Sequence, residues 1–211
     1  MHAIFNIISF FFIYKSQGVK KSIISMIRLL ILPFWKIDKA LPLSGTIMDV
    51  GCGAGIMSNY LAICSPARKV LGVDLSKNRI ISAKQSISGR KNIKFKLGNI
   101  TKMTIKKYEN YLMVDVLHHI PFQEQQKLLT ILSKKLNKSS LLIIKEVDAS
   151  NRLPFLFGHF WEKVLYPNEQ INVRTRKEWL KVFSKLGLGC TVLTGSPIFP
   201  DSTLIFVCHK K

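Results

Sequence analysis

The chain has 211 residues, 47% of them hydrophobic, and carries 32 Lys and Arg against 12 Asp and Glu for a formal net charge of +20. This length makes about one large domain with a three-layer core, and no internal repeat or low-complexity tract is present, which excludes a repeat array. Such a charge suits phosphate-rich partners, nucleic acid or an anionic lipid surface, although a coding bias toward Ile, Lys, Asn and Phe gives the same total as a solvated surface of scattered lysines. The four cysteines, Cys52, Cys64, Cys190 and Cys208, form no C-x-x-C pair. They are expected as thiols in a reducing, cytoplasmic setting, with no metal site and no disulfide framework.

Two apolar runs open the chain. Ala3 to Tyr14 is broken only by Asn6 and Ser9, and Ile23 to Ile37 contains Arg28 and Pro33. Neither reaches the roughly 20 apolar residues that a spanning helix needs, and the start lacks the basic end and small-residue cleavage site of a signal peptide. At helical spacing His2, Asn6 and Ser9 share one stripe and Lys21, Ser25 and Arg28 another, so residues 1–43 read as amphipathic helices ahead of a core domain over 44–211. Two roles stay open for them. They cover the substrate side of the core, or they anchor the protein peripherally at an anionic surface, the inner face of the membrane, through Lys15, Lys20, Lys21, Arg28, Lys36 and Lys39.

From Thr46 the texture changes. Ile47, Met48 and Val50 form a short buried strand that ends in Asp49-Val-Gly51-Cys52-Gly53-Ala-Gly55, and an apolar helix follows over 56–64. A dinucleotide loop, G-x-G-x-x-G, would require glycine at position 56, which is Ile; the Gly-Lys-Ser/Thr ending of a phosphate-binding P-loop is also missing. Further strands are expected at 69–73, 93–97, 111–116 and 141–146, with helices at 77–88, stopped by Gly89, and at 123–136. Alternating strands and helices imply a parallel sheet with ligands at the carboxyl ends of its strands. Thr175 and Glu178 form a capping box ahead of a helix closed by Gly187. The last strands, 190–194 and 203–209, are joined by too short a loop for a crossover and must be antiparallel neighbours.

The alternating glycines after Asp49 resemble the D/E-x-G-x-G-x-G loop of the class I S-adenosylmethionine (SAM) methyltransferases, and a parallel sheet closed by an antiparallel hairpin is similar to theirs. The resemblance covers about residues 44 to 209. It implies an α/β, Rossmann-like doubly wound sheet, mostly parallel with an antiparallel C-terminal strand. The implied cofactor is SAM, held at its methionine end by Asp49, Gly51, Cys52, Gly53 and Gly55, at its ribose by Asp74 beside Leu75, and at its adenine by Asn99 and the Ile100 amide, with Asp115 beneath the sulfonium. Asn99 stands where the family usually has Asp, and its carbonyl oxygen can accept the same adenine bond.

The segment Asp115-Val-Leu-His118-His119-Ile-Pro121 lacks the [N/D]-P-P-[Y/F] of base N-methylation and looks like that of small-molecule methyltransferases, including the quinone-pathway type. His118 is the first choice for a base that deprotonates an O or C acceptor, followed by His119 and Asp148, while His119 can equally serve only to bond its loop. Residues 151–174, with Phe155, Phe157, His159, Phe160, Trp161 and Tyr166, read as a substrate lid or as ordinary core. The expected partner is a small, hydrophobic or lipid-like acceptor. Nucleic acid ranks lower: Asp115 and Lys145 resemble the middle pair of the Lys-Asp-Lys-Glu set of ribose methylation, but Thr191 to Ser196 lacks its acid. A SAM-binding module without turnover is the rival outside catalysis.

Overall fold

The computed structural model describes residues 12–15, 18–104, 106–150, 171–194 and 203–211. It divides into two compact units, Met1–Tyr108 and Glu109–Lys211. Among the described residues of the first unit, α1 (Val19–Ile31) and α2 (Phe34–Ala40) precede β1 (Gly45–Val50), α3 (Ile56–Cys64), β2 (Arg68–Asp74), α4 (Lys77–Gln85) and β3 (Ile93–Leu97). The second has β4 (Asn110–Val114), a 3₁₀ turn (Leu117–His119), α5 (Phe122–Lys135), β5 (Leu141–Val147), α6 (Arg176–Lys185), β6 (Leu188–Thr194) and β7 (Thr203–Lys210).

In the first unit β2 lies between β3 and β1, and both pairings are parallel. Ile47, Met48, Val70, Val73 and Ile93 are buried, the near-continuous apolar texture expected of strands covered on both faces. In the second unit β4 and β5 are parallel, while β7 inserts antiparallel between β5 and β6. The C-terminal strand β7 takes the inner place because it is the more apolar of the two: Leu204, Ile205 and Phe206 are buried, whereas β6 keeps most of its residues partly exposed, as an edge strand does. The mostly parallel sheet with antiparallel closing strands is the architecture anticipated from the alternating pattern. The capping box on α6 forms as expected, with Thr175 and Glu178 satisfying each other's backbone amides.

Three expectations are corrected. The run Ile23 to Ile37 is two helices, because Pro33 cannot donate to the helix and drives Leu32 to an extended conformation (φ −81°, ψ 141°). The helix expected over 77–88 ends at Gln85, and a turn with Ser88 at φ 49° and Gly89 at φ 75° follows. Cys190 and Cys208 are not independent thiols: they face each other in the β6–β7 register with Cα atoms 4.1 Å apart and are disulfide-bonded. An 18-residue separation hides this proximity until the hairpin register is known. No helix among the described residues is long and apolar enough to cross a membrane. Of the predicted lid, only residues 171–174 fall within the described part.

Arg68 ties α2 to the first unit. Its guanidinium is fully buried, pairs with Asp38, and donates to the carbonyl oxygens of Leu41 at 3.2 Å and Pro42, through Nε, at 2.8 Å. Phe34 and Ile37 pack inward on the same helix, leaving Trp35 on the outside.

Candidate active site

The first cluster sits at the carboxyl ends of β1 and β2. Two glycines of the loop need their lack of a side chain for different reasons. Gly55, at φ 82°, caps α3 from the left-handed region, and a Cβ there would lie 2.5 Å from the Phe95 ring. Gly53, at φ 55°, has nothing within 4 Å of where a Cβ would stand, so the loop has open space beside it. The loop is bonded to β2 through three successive amides, that of Cys52 reaching the Val73 carbonyl at 3.1 Å. The Gly51 amide donates to the Val73 carbonyl at 2.7 Å, and the Gly53 amide donates to Asp74 Oδ2 at 2.8 Å. Asp74 Oδ1 accepts from the Ser76 amide at 2.8 Å. Each Asp74 oxygen thus spends one lone pair on a loop and retains another.

Asp49 lies below the loop, 1% exposed, and accepts a bond from the Ser58 hydroxyl at 2.5 Å. Burial pushes its carboxyl up to about 7, a rise that the Ser58 bond opposes and the charge of Asp74 reinforces. Cys52 is buried beside it, and burial holds its thiol far above the ordinary range. Leu75 is 69% exposed, while Ile100 is buried. Asn99 departs from the role expected for it. Its Oδ1 accepts from both the amide and the hydroxyl of Thr101, at 2.9 and 2.7 Å, so the carbonyl is committed to the local turn and its amide is the group left for a ligand.

The second cluster lies between β4 and β5. β4 ends at Val114 rather than continuing to 116, because Asp115 adopts φ 55°, a left-handed conformation unusual for a residue with a side chain. Its carboxylate accepts from Lys145 Nζ at 2.6 Å, and Lys145 is 4% exposed. His118, in the following turn, is buried with its Nδ1 2.6 Å from Glu146 Oε2. The other oxygen of Glu146 accepts from the amides of Val116 and Leu117 at 3.1 and 2.7 Å. A carboxylate already surrounded by donors is an acceptor, which makes Nδ1 the donor and Nε2 the basic nitrogen of His118. The His119 ring centroid lies 4.1 Å from that of His118.

Asp148 has a structural task of its own. Its Oδ1 accepts from the amides of Ser150 at 3.0 Å and Arg176 at 3.1 Å, so it fastens the start of α6. In the sequence Glu146 is one of three charged groups, with Lys145 and Asp148, that emerge at the end of the apolar run from Leu141, where the acceptor is expected, and nothing there pairs it with His118. Gln125 carries no sequence signal of its role. It is fully buried, and its Nε2 donates to the carbonyls of Leu117, Ile120 and Asn172 at 2.9, 3.0 and 3.0 Å, fixing the histidine turn. Among the described residues no cluster of metal-ligating side chains exists.

Alternating left-handed glycines between an acid-tipped β1 and β2, with an antiparallel β7 inserted beside β5, define the class I methyltransferase fold. Residues 44–186 match the methyltransferase domain family, and the chain belongs to it. The family uses SAM. Among curated relatives, an uncharacterised protein of Rickettsia prowazekii is 32% identical over 102 residues, 46% of this chain and 41% of its own length. The ribosomal RNA large subunit methyltransferase G of Pseudoalteromonas atlantica is 28% identical over 144 residues, 60% of this chain and 37% of its own. The chain therefore spans about two fifths of the curated relatives it matches. Human N-acetylserotonin methyltransferase, solved with SAM, superposes with a TM-score of 0.71 at 19% identity over 94% of this chain and 57% of its own.

Proposed function

We propose that this protein is a SAM-dependent methyltransferase acting on the oxygen or carbon of a small, hydrophobic or lipid-like acceptor. The observation that carries the reading is the bridge from Asp74 to the Gly53 amide, which holds three glycines of a ligand-sized loop against an acid that retains lone pairs for a ribose. The open space at Gly53 fits the cofactor, as does the exposed Leu75 side chain beside Asp74, an apolar surface on the ribose side. Asp49, Gly51, Cys52, Gly53 and Gly55 hold the methionine end in this reading, Asp74 and Leu75 the ribose side, and Asn99 and Ile100 the adenine, with the Asn99 amide donating to a ring nitrogen. When bound, SAM supplies a methyl group on an activated sulfonium, so the protein's work is chiefly alignment.

His118 takes the acceptor's proton on Nε2, and Glu146 fixes the tautomer and stabilises the imidazolium that results. Burial keeps bulk water from competing for that nitrogen. Asp115, paired with Lys145, shapes the end of β4. His119 remains the second choice for the base. A small-molecule acceptor is supported by the fold shared with N-acetylserotonin methyltransferase. RNA methylation, which the ribosomal RNA relative brings forward, ranks lower because Lys145 is buried and committed to Asp115.

Calorimetric titration with SAM and NAD tests the cofactor, and methyl-labelled SAM offered to lipid extract, small metabolites and total RNA tests the acceptor. SAM binding with NAD far weaker is expected, together with label in an extractable small molecule. His118→Ala should lower its appearance by about 10²–10⁴ with SAM affinity nearly unchanged. Label confined to RNA would overturn the acceptor class, and SAM binding without transfer to any pool would leave a binding module.

A further inference from the structure

Residues 12–15 form a helical segment with two unlike faces. Phe12 is 62% exposed with Lys15 Nζ 5.9 Å from its ring centroid, whereas Tyr14 is completely buried. Its hydroxyl donates to the carbonyl oxygen of Ala54, the residue between Gly53 and Gly55, at 2.9 Å. The same hydroxyl accepts from Asn59 Nδ2 at 3.1 Å, and that amide also lies 2.8 Å from the Gly55 carbonyl and 2.7 Å from Ser86 Oγ. Arg90 completes the set, its Nη2 donating to Asn59 Oδ1 at 2.5 Å and to the Ser86 carbonyl at 2.6 Å. Two consecutive carbonyls of the glycine loop are therefore held from behind, one by a tyrosine 40 residues upstream and one by the first turn of α3.

We propose that Tyr14 is a positioning residue for the cofactor: by fixing the Ala54 carbonyl it presets the glycine loop in its binding shape. A loop with glycine at every second position has more conformations to lose than one without, and a ligand that must order it loses affinity by that cost. Tyr14 bears the cost before the ligand arrives. Linkage then requires the converse, that a ligand bound to the loop stabilises the docked state of residues 12–15. Apolar burial alone asks only for a ring at this position. The hydroxyl and the polar chain behind it are what a positioning role requires.

This inference rests on the reading that the glycine loop binds SAM. Calorimetry on the full chain compares the wild type with Tyr14→Phe, which keeps the ring, and with Lys127→Ala, an exposed control on α5. Tyr14→Phe is expected to weaken SAM and S-adenosylhomocysteine by about 5–30-fold, the consequence of losing the hydroxyl's bonds to Ala54 and Asn59 and stranding the Ala54 carbonyl, with Lys127→Ala at the wild-type value. A purely structural tyrosine would lower the unfolding temperature and leave the affinity alone. Hydrogen exchange supplies the second measurement, with saturating SAM expected to slow peptides spanning residues 12–15 in the wild type. Wild-type affinity in folded Tyr14→Phe overturns the inference. So does unchanged exchange in the wild type, which decides the matter even if the variant fails to fold. A wild type that binds no SAM would instead remove the cofactor reading itself.

Discussion

Asp49 sits where water cannot reach it, and its carboxyl is raised from 3.8 to about 7, chiefly by burial. The folded protein therefore holds this proton more tightly than the unfolded chain does. The stabilisation is complete below about pH 4 and disappears as pH rises to about 7, a swing of a few kcal/mol. Asp49→Asn, which still accepts the Ser58 hydroxyl, should flatten that part of the profile and be more stable than the wild type at neutral pH. Denaturant melts at a series of pH values measure this, and parallel profiles for the two proteins would refute it. Glu146 makes a second prediction at the same scale. It accepts three donors, but glutamine has a single acceptor oxygen, so Glu146→Gln turns an amide toward at least one of the Val116 and Leu117 N–H groups or His118 Nδ1. Methyl transfer should fall by 10² or more, with calorimetric SAM affinity retained. The acids at 49, 74 and 115 were legible because each ends an apolar strand. The pairing of Glu146 with His118 and of Gln125 with the Asn172 carbonyl was not, since these partners lie 28 and 47 residues away and only the folded register reveals them.

Among the elements, the closing hairpin shows both the reach and the limit of sequence reasoning. A short connection between two apolar runs required antiparallel pairing, and β6 and β7 pair that way. The register, however, decides which residues meet, and it places Cys190 opposite Cys208. Composition had argued the other way, for separate thiols, because it contains no information on pairing. The break in the N-terminal run is a different matter. Pro33 was visible, and its stereochemistry alone splits α1 from α2. Since the cross-link closes a loop of 18 residues, Cys208→Ser should cost about 3 kcal/mol through the entropy returned to the unfolded chain. Unfolding with and without reductant checks this: the wild type should lose a similar amount on reduction and the variant nothing, and reductant-insensitive wild type would show that the bond contributes no stability.

At the scale of the whole molecule, a charge of +20 has to be accounted for, and we propose an anionic membrane surface as the partner it serves. Trp35 is 42% exposed on α2, with Lys36 and Lys39 5.4 and 5.1 Å from its ring centroid, while Ile23 and Ile27 stand out from α1, each 47% exposed. An amphipathic ring flanked by ammonium groups is the chemistry of a membrane interface, where the ring enters the headgroup layer and the cations meet lipid phosphates. Each basic residue near an anionic surface contributes about 1 kcal/mol. Replacing Lys36 and Lys39 by Gln should therefore lower partitioning onto anionic vesicles by about 30-fold, and Trp35→Ala should lower it further. The wild type should float with such vesicles in low salt, less in high salt, and hardly at all with neutral lipid. Because Arg68, Phe34 and Ile37 fasten α2 from its inner side, these outward substitutions should leave the fold and SAM affinity intact, which separates a surface role from a structural one. Vesicle binding by the wild type equal to that of the Lys36, Lys39 and Trp35 variants would show that the basic charge serves another partner, and a salt-sensitive complex with total RNA in the same assay would identify it.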